Sequence, residues 1–281
     1  MSSPKGQISE NLSRVAVVSK SGNSKAESVA NALIETLVSS GFMVLAVDPV
    51  SRTSARSIAS LKDLRTGEIQ FVISVGGDGT LLNAFRELGD ETPVLGINVG
   101  GRGILTTIGP DNISQVVSDL RNGNYVLDRR IRISSSNALS IYPPALNEVY
   151  LIRVPLDSTP TYTVQINGYT VLTQKMDGII ISTPTGSTGH SLSLGGPVIL
   201  ETSSNFLLTP IGPVSKIPPV LCETDSITIT SNKSANVVID GQESYVAHAD
   251  TSLEVSRHDL DAIFIRFDVK PLRQLNSLGF S

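Results

Sequence analysis

The sequence contains few of the residues on which several protein classes depend. Its 281 residues include a single cysteine, Cys222, which excludes an intramolecular disulfide framework. The three histidines are scattered and no paired-cysteine spacing accompanies them, so the sequence has no zinc motif. An intracellular, cytoplasmic location is therefore the expectation.

The sequence also has no long runs of like-charged residues and no long apolar stretches. The formal net charge is -4 and no block of five like charges occurs, which argues against a nucleic-acid or anionic-membrane surface. No stretch approaches the 18 apolar residues of a membrane span, and the apolar run at residues 15–18 is too short for a signal peptide. With 40% hydrophobic and 17% charged residues, we expect a soluble globular protein without nucleic-acid or membrane partners.

The first 125 residues alternate between predicted strands and predicted helices. Ser24 and Glu27 have the spacing of a capping box at the start of the first helix. The pattern predicts strands at 14–19, 42–47, 71–75 and 93–98, and helices at about 24–40, 54–64, 80–88 and 111–121. Such alternation implies an α/β fold with a doubly wound, mostly parallel sheet, and a ligand site at the carboxyl ends of its strands.

The second half has a different character, because short strands replace the alternation. Asn167-Gly168 and Asp240-Gly241 are typical of tight hairpin turns, and the segments SLEVSR and AIFIRF follow as further strands. We therefore predict an α/β domain over residues 1–125 and a β-rich domain over residues 126–265. The tail, residues 266–281, is expected to pack back on the first domain.

Residues 71–82 read FVISVGGDGTLL and are the most informative segment. A buried strand runs directly into Gly76-Gly77-Asp78-Gly79-Thr80 and then into helix-forming residues. Glycines at such a junction let backbone N–H groups approach a phosphate at the helix N-terminus. They also leave Asp78 projecting into the same crevice, where a carboxylate facing phosphates suggests either proton abstraction or magnesium handling.

The alternative for this segment is a tight turn that happens to carry an Asp, since Asp-Gly is a common turn dipeptide. Neither standard nucleotide fingerprint fits: Leu82 stands where GxGxxG needs its third glycine, and no Gly-Lys pair exists for a Walker loop. GGDGTLL instead resembles the signature shared by NAD kinases, diacylglycerol and sphingosine kinases and, more loosely, 6-phosphofructokinases.

A second biased segment, STPTGSTGHSLSLGG at residues 182–196, is rich in hydroxyl groups. Such a composition is also compatible with a flexible linker. The apolar segments MDGIIIS and PVIL flank it, however, and a polar loop fixed between two apolar segments is typical of a binding loop on a rigid scaffold. Its side chains could serve ribose hydroxyls and phosphate oxygens.

Together with this loop, three further segments resemble NAD kinases specifically. They are Asn147-Glu148, LTPIGP at residues 208–213 and Asp240-Gly241-Gln242, in the family's order. Lipid kinases and phosphofructokinases share only the GGDGTLL motif. The resemblance spans residues 76–242 and implies transfer of the γ-phosphoryl group of ATP, or of another donor, to the 2'-hydroxyl of the adenosine ribose of NAD.

The resemblance also implies the roles of individual residues. Asp78 corresponds to the catalytic carboxylate near the 2'-hydroxyl, and Asn147 with Glu148 to the pair around the adenosine ribose. The remaining positions that match NAD contacts are Gly79, Lys175, Asp177, Thr188, Gly189, His190, Ser191, Ser193, Gly212 and Gln242. The positions that match the phosphoryl-donor site are Gly76, Gly77, Gly79, Thr80 and Asn83. The family is commonly dimeric or tetrameric, so a homodimer or homotetramer is expected.

The chain departs from the family pattern at three positions. His190 replaces the usual Tyr, so a stacking ring becomes smaller and titratable. Asn83 replaces a common Arg, although Arg86 lies one turn further along. Arg102, in the segment VGGRGILT, is either a donor contact or a solvated side chain.

The expected mechanism leaves little covalent chemistry to the protein. An Asp is a weak base for a sugar hydroxyl, so Asp78 should mostly orient the alcohol and take its proton late. Mg²⁺ should arrive with the nucleotide, since the sequence predicts no dedicated metal cage. The competing hypotheses are a related kinase acting on a lipid or sugar and a catalytically idle NAD(P)-binding sensor.

Overall fold

The computed structural model describes residues 12–47, 55–65, 67–101, 103–106, 108–154, 158–223, 226–268 and 272–279. The chain forms two compact units. The first comprises the chain up to Arg129 together with Ala262–Arg273, and the second comprises Arg130–Asp261 together with the chain from Gln274. Within the described ranges, no helix is both long and apolar enough to cross a membrane.

The elements up to residue 130 are β1 Arg14–Ser19, α1 Ser24–Ser39, β2 Met43–Val47, β3 Arg56–Ile58, β4 Phe71–Gly76, α2 Asp78–Glu87, β5 Val94–Asn98, α3 Ile113–Asn122 and β6 Val126–Arg130. They are followed by β7 Ile133–Asn137, β8 Ser140–Ile141, β9 Glu148–Arg153, β10 Thr161–Ile166, β11 Tyr169–Lys175, β12 Gly178–Ser182, α4 His190–Ser193, β13 Phe206–Ile211, β14 Val220–Cys222, β15 Ile227–Ser231, β16 Ala235–Ile239, β17 Glu243–Ala247, β18 Ser252–Arg257, β19 Ala262–Arg266 and α5 Arg273–Ser277.

The first unit is built on a seven-stranded sheet of order β3-β2-β1-β4-β5-β19-β6. Strands β1 to β5 pair in parallel, and β19 joins β5 in parallel. Ile73 and Leu95 face a core that also contains side chains of α1 and α3. On the opposite face, Phe85 of α2 packs against Phe264 of β19, with ring centroids 4.7 Å apart. Helices on both faces confirm the predicted α/β class.

Two local predictions in this unit are wrong. Helix α1 is capped by Asn23, whose side chain accepts the backbone N–H of Ala26 at 3.0 Å, and not by the capping box predicted on Ser24 and Glu27. The amide oxygen of Asn23 binds the otherwise unpaired N–H of Ala26, which lies one residue before the Glu27 N–H that the predicted capping box would have used.

The helix predicted at 54–64 is also absent from the described part of that segment. Strand β3 adds to the sheet edge beside β2, and a single 3₁₀ turn follows at Leu61–Asp63. Ser60 and Asp63 close this turn with reciprocal side-chain-to-backbone hydrogen bonds. These hydrogen bonds satisfy the backbone within one turn, and Leu64 then returns to extended backbone.

The second unit packs two six-stranded sheets around one core. Their orders are β11-β10-β15-β18-β7-β8 and β14-β13-β12-β9-β16-β17, with antiparallel pairings. Both predicted hairpins are confirmed: Asn167-Gly168 joins β10 to β11, and Asp240-Gly241 joins β16 to β17. All four residues have positive φ, which Asn, Asp and Gly adopt more readily than other residues.

Strands β6 and β19 lie in the seven-stranded sheet of the first unit, although the sequence pattern suggested the β-rich half for both segments. All five residues of β19, AIFIR, are buried, whereas β18 alternates between buried and more exposed residues. A strand that is buried along its whole length suits a sheet covered on both faces, and an alternating strand suits a sheet covered on one. The difference between SLEVSR and AIFIRF was therefore readable in the sequence.

Candidate active site

The GGDGT loop lies at the carboxyl end of β4, as its sequence pattern predicts. Asp78 is the first residue of α2, and Gly77 precedes it in extended conformation without a side-chain cap. A Cβ atom at Gly76 would lie 2.2 Å from Thr80 Oγ1, so only glycine fits there. A Cβ atom at Gly77 would meet nothing within 4 Å, so the space beside that residue is open. Asn98 pairs with Gly76 across β4 and β5, so both strand ends meet as predicted.

The half-buried carboxylate of Asp78 faces the segment that follows β5. Its Oδ2 accepts the backbone N–H groups of Ile104 at 2.8 Å and Leu105 at 3.2 Å. Its Oδ1 accepts the N–H of Thr106 at 2.9 Å and the hydroxyl of Thr106 at 2.7 Å. A carboxylate has about four lone-pair positions, and four donors occupy them here. The sequence suggested that Asp78 projects into the crevice, but in the structure its carboxylate is held by four hydrogen-bond donors. A ribose hydroxyl that binds this carboxylate must therefore displace one of these donors or share its acceptor oxygen.

The segment after β5 is held by its own side chains. Asn98 donates to the carbonyl of Gly101 at 2.9 Å and accepts the N–H of Gly100 at 2.9 Å. Arg102, considered above as a donor contact, lies outside the described residues. The backbone amides that bind Asp78 thus belong to a folded segment.

Asn83 and Arg86 lie together on α2. Asn83 donates to Glu87 at 2.8 Å, and the guanidinium of Arg86 donates to the side-chain oxygen of Asn83 at 2.7 Å. Arg86 therefore lies beside the position where many family members carry Arg. This places a cation close to the predicted donor-binding residue.

In the second unit, Asn147 and Glu148 are positioned by Asp240. The carboxylate of Asp240 accepts the backbone N–H groups of Leu146, Asn147 and Glu148 at 3.1, 2.7 and 3.2 Å. The sequence indicated Asp240 as a hairpin residue and as part of the Asp240-Gly241-Gln242 segment that resembles NAD kinases, but its role in fixing this pair was missed. The match of that segment was the available signal.

Glu148 is a buried carboxyl, with 5% of its surface exposed. Burial, followed by the charge of Asp240, raises its pKa to about 8. Its Oε2 has no hydrogen-bond partner within the described part of the chain. A Cβ atom at Gly189 would lie 3.6 Å from that oxygen, which places Glu148 against the hydroxyl-rich loop. At neutral pH the carboxyl is largely protonated and can donate a hydrogen bond.

The hydroxyl-rich loop is anchored to its own unit, so the linker interpretation is wrong. Thr183 donates to the carbonyl of Leu146 at 2.6 Å and accepts the N–H of Gly186 at 3.1 Å. A Cβ atom at Gly186 would lie 2.1 Å from the carbonyl oxygen of Asn147. Gln274, near the chain end, donates to the carbonyl of Thr185 at 2.7 Å. The loop and the Asn147-Glu148 pair are thus brought together.

The predicted NAD residues of this loop differ in accessibility. Gly189 and Ser193 are exposed, and Thr188 and His190 are half-buried. Ser191 is fully buried, and its hydroxyl is hydrogen-bonded to that of Thr209. In this conformation Ser191 therefore supports the loop and does not face solvent.

His190 lies edge-on against Tyr150 of β9, with ring centroids 5.2 Å apart. Tyr150 follows Glu148 by two residues and so lies on the same face of the strand. Burial, followed by the charge of Glu148, raises the pKa of Tyr150. The smaller ring at His190 is therefore accompanied by an aromatic neighbour that the sequence analysis did not single out.

The other predicted NAD residues occupy two further places in the second unit. Asp177 is held by Arg153, whose Nε lies 2.7 Å from its carboxylate. Gly212 has φ +54°, and a Cβ atom there would lie 2.7 Å from Asp177 Oδ2, so this position requires glycine. Lys175, at the end of β11, and Gln242, after the Asp240-Gly241 turn, are exposed.

Comparisons with known proteins agree with this arrangement. The family model "ATP-NAD kinase N-terminal domain" matches residues 15–125, and "ATP-NAD kinase C-terminal domain" matches residues 146–267. An NAD kinase of Bacteroides fragilis is 33% identical over 229 residues, which cover 78% of this chain and 76% of the relative. An NAD kinase of Methanopyrus kandleri is 32% identical over 258 residues, covering 90% of this chain and 92% of the relative.

Solved structures show the same similarity. An NAD kinase from Archaeoglobus fulgidus, crystallised in complex with ATP, has a TM-score of 0.76 and 26% identity, covering 95% of this chain and 98% of that one. Yeast NADH kinase complexed with NADH has a TM-score of 0.88 over 96% of this chain and 87% of that one, and at 19% identity it supports the fold alone. With two family models matching in order over most of its length, the chain belongs to the ATP-NAD kinase family of phosphotransferases.

Proposed function

We propose that this chain transfers the γ-phosphoryl group of ATP to the 2'-hydroxyl of the adenosine ribose of NAD, forming NADP. The observation that carries the proposal is the presence in one chain of the GGDGT loop, with Asp78 at the start of α2, and the Asn147-Glu148 pair fixed by Asp240. ATP and NAD are its substrates, as for the family. Lipid and sugar kinases share only the first of these features.

Asp78 is proposed to orient the acceptor hydroxyl. Four donors fix its carboxylate, and a fixed acceptor lowers the barrier by holding the reacting oxygen in line. The glycines at the start of α2 and the positive end of its dipole support a donor site for negatively charged phosphates. The proposed donor-binding residues are Gly76, Gly77, Gly79, Thr80 and Asn83.

The second unit, Arg130–Asp261 together with the chain from Gln274, is proposed to bind NAD. Glu148, protonated at neutral pH, would donate a hydrogen bond to a sugar or amide oxygen. The other proposed contacts are Asn147, Lys175, Asp177, Thr188, Gly189, His190, Ser191, Ser193, Gly212 and Gln242. Ser191 acts through the loop, since its side chain is buried.

Mg²⁺ is proposed to enter with the nucleotide. Across the described residues, no group of three or more His, Cys, Asp or Glu side chains could hold a metal ion. The triphosphate of the donor supplies oxygen ligands of the kind that Mg²⁺ prefers. When bound, the ion screens the charge of the transferred phosphoryl group. A cytoplasmic location and assembly as a homodimer or homotetramer complete the proposal.

The test is formation of NADP by the purified chain from NAD, Mg²⁺ and a panel of donors that includes ATP, other nucleoside triphosphates and polyphosphate. Asp78→Asn should lose most turnover while its affinity for NAD stays within an order of magnitude. Asn carries two donor hydrogens, so it cannot accept all four hydrogen bonds. Phosphorylation of diacylglycerol without NADP formation would indicate a lipid kinase, and tight NAD binding with no turnover for any donor would indicate a sensor.

A further inference from the structure

Asp78 is held in place by a segment 26 to 28 residues away. Three of its four donors are backbone N–H groups, and the fourth is the hydroxyl of Thr106. Thr106 alone supplies two donors, both to Oδ1, from its backbone at 2.9 Å and its side chain at 2.7 Å. One residue therefore sets the position of one carboxylate oxygen.

The surroundings of Thr106 leave its side chain little freedom. It is 1% exposed. A Cβ atom at Gly96 would lie 2.7 Å from its methyl group, and a Cβ atom at Gly103 would lie 2.4 Å from its hydroxyl oxygen. Two glycines, one on β5 and one in the following segment, thus leave the space that this side chain fills. The methyl group packs over β5 while the hydroxyl points at Asp78.

Arg266 stabilises the same segment from β19. Its guanidinium donates to the carbonyl of Leu105 at 2.6 Å, while the N–H of Leu105 donates to Asp78. Arg266 is 5% exposed, lies 3.6 Å from the carboxylate of Asp128 and covers the ring of Phe264 at 4.4 Å. A buried ionic and aromatic contact therefore limits movement of the segment that holds Asp78.

We propose that Thr106 is a positioning residue for Asp78 in phosphoryl transfer, with Arg266 stabilising the segment on which Thr106 lies. The inference rests on the proposed function of Asp78. The hydroxyl of Thr106 fixes Oδ1, so that the carboxylate meets the acceptor hydroxyl in one orientation. A displacement of about 1 Å in such an arrangement lowers turnover by about 100-fold.

The experiment compares two pairs of variants that differ only in the hydroxyl: wild type with Thr106→Val, and Thr106→Ser with Thr106→Ala. Because Val keeps the volume of Thr, it tests the hydroxyl without removing the methyl contact. We expect Thr106→Val to lower kcat for NADP formation by about 10- to 100-fold while KM for NAD stays within about threefold. Thr106→Ser should keep kcat within about threefold of the wild-type value. Thr106→Ala should lower kcat about as much as Thr106→Val does.

Thr163→Val provides a control, since Thr163 lies on β10 and its hydroxyl is hydrogen-bonded to that of Thr173 across the strand pair. It should leave kcat and KM unchanged. Urea unfolding of every variant shows whether a loss of kcat reflects impaired folding. If Thr106→Val is unstable, the comparison of Thr106→Ser with Thr106→Ala replaces it, because both of these variants lack the γ-methyl group and differ only in the hydroxyl.

The inference is overturned if the two kcat values within each pair are equal. It is also overturned if Thr106→Val raises KM for NAD by as much as it lowers kcat and Thr106→Ser does not restore kcat. In those cases the proposed function stands as long as the wild type makes NADP and Asp78→Asn does not. Failure of the wild type with every donor, in contrast, removes the proposed function itself.

Discussion

The buried carboxyl of Glu148 should make the protein less stable as the pH rises from about 5 to 8. In the unfolded chain this group ionises near 4.5, whereas in the folded chain its pKa is about 8. Below 4.5 both states hold the proton and the group has no effect. Between the two values only the folded state holds it, so stability falls by roughly a factor of ten in the folding equilibrium per pH unit.

The whole shift corresponds to a loss of about 5 kcal/mol by the time the pH exceeds 8. Glu148→Gln removes this loss, because a neutral amide of the same shape occupies the site at every pH. The variant should therefore gain stability relative to wild type steadily between pH 5 and 8, and the gain should level off above pH 8.

The assay is urea unfolding followed by circular dichroism at several pH values from 5 to 9. The matched control is Glu254→Gln, since Glu254 is an exposed glutamate of β18 in the same unit. It should leave the pH dependence within about 0.5 kcal/mol of wild type. If Glu148→Gln and wild type change with pH in parallel, Glu148 is ionised in the folded protein and the reasoning from its burial is refuted.

Three further substitutions test the site and the fold. Thr183→Val removes the hydroxyl that links the hydroxyl-rich loop to Leu146, and urea unfolding should show a loss of about 2 kcal/mol; an unchanged midpoint would contradict the contact. Gly212→Ala brings a Cβ atom against Asp177 at positive φ, so we expect a loss of about 1 to 2 kcal/mol by urea unfolding and a higher KM for NAD, neither of which occurs if the turn relaxes freely. Asn23→Ala should lower stability by about 1 kcal/mol in thermal unfolding, while Ser24→Ala should not; the reverse order would restore the predicted capping box.

The fold class was predictable because its signals are local. Residues 71–82 contain a strand, a glycine loop and a helix start within one window, and the structure forms all three there. The Asn167-Gly168 and Asp240-Gly241 turns were equally readable, since their positive φ values favour these residue types. Strand β3 was missed because its three residues carry too little pattern, and pairing with β2 decides their conformation.

The supports of the site were not predictable, because they connect residues distant in sequence. Nothing near Asp78 indicates that Thr106 and the backbone before it hold its carboxylate. Asp240 lies more than 90 residues along the chain from the backbone N–H groups whose hydrogen bonds it accepts. One-sequence patterns identify residue types and periodicity, whereas such contacts depend on which strands become neighbours. The candidate residues were therefore found by motif, and their neighbours were not.

The place of β19 in the first sheet has a consequence for biosynthesis. This strand lies between β5 and β6, yet it is made after every strand of the two antiparallel sheets. A nascent chain can pair β1 through β5 early, but the edge of β5 stays open until Ala262–Arg266 leaves the ribosome. A fragment that stops at Arg130 lacks both that strand and Arg266. We therefore expect such a fragment to expose an unpaired strand edge and to aggregate, and the first sheet to be completed only after every strand of both antiparallel sheets has been synthesised.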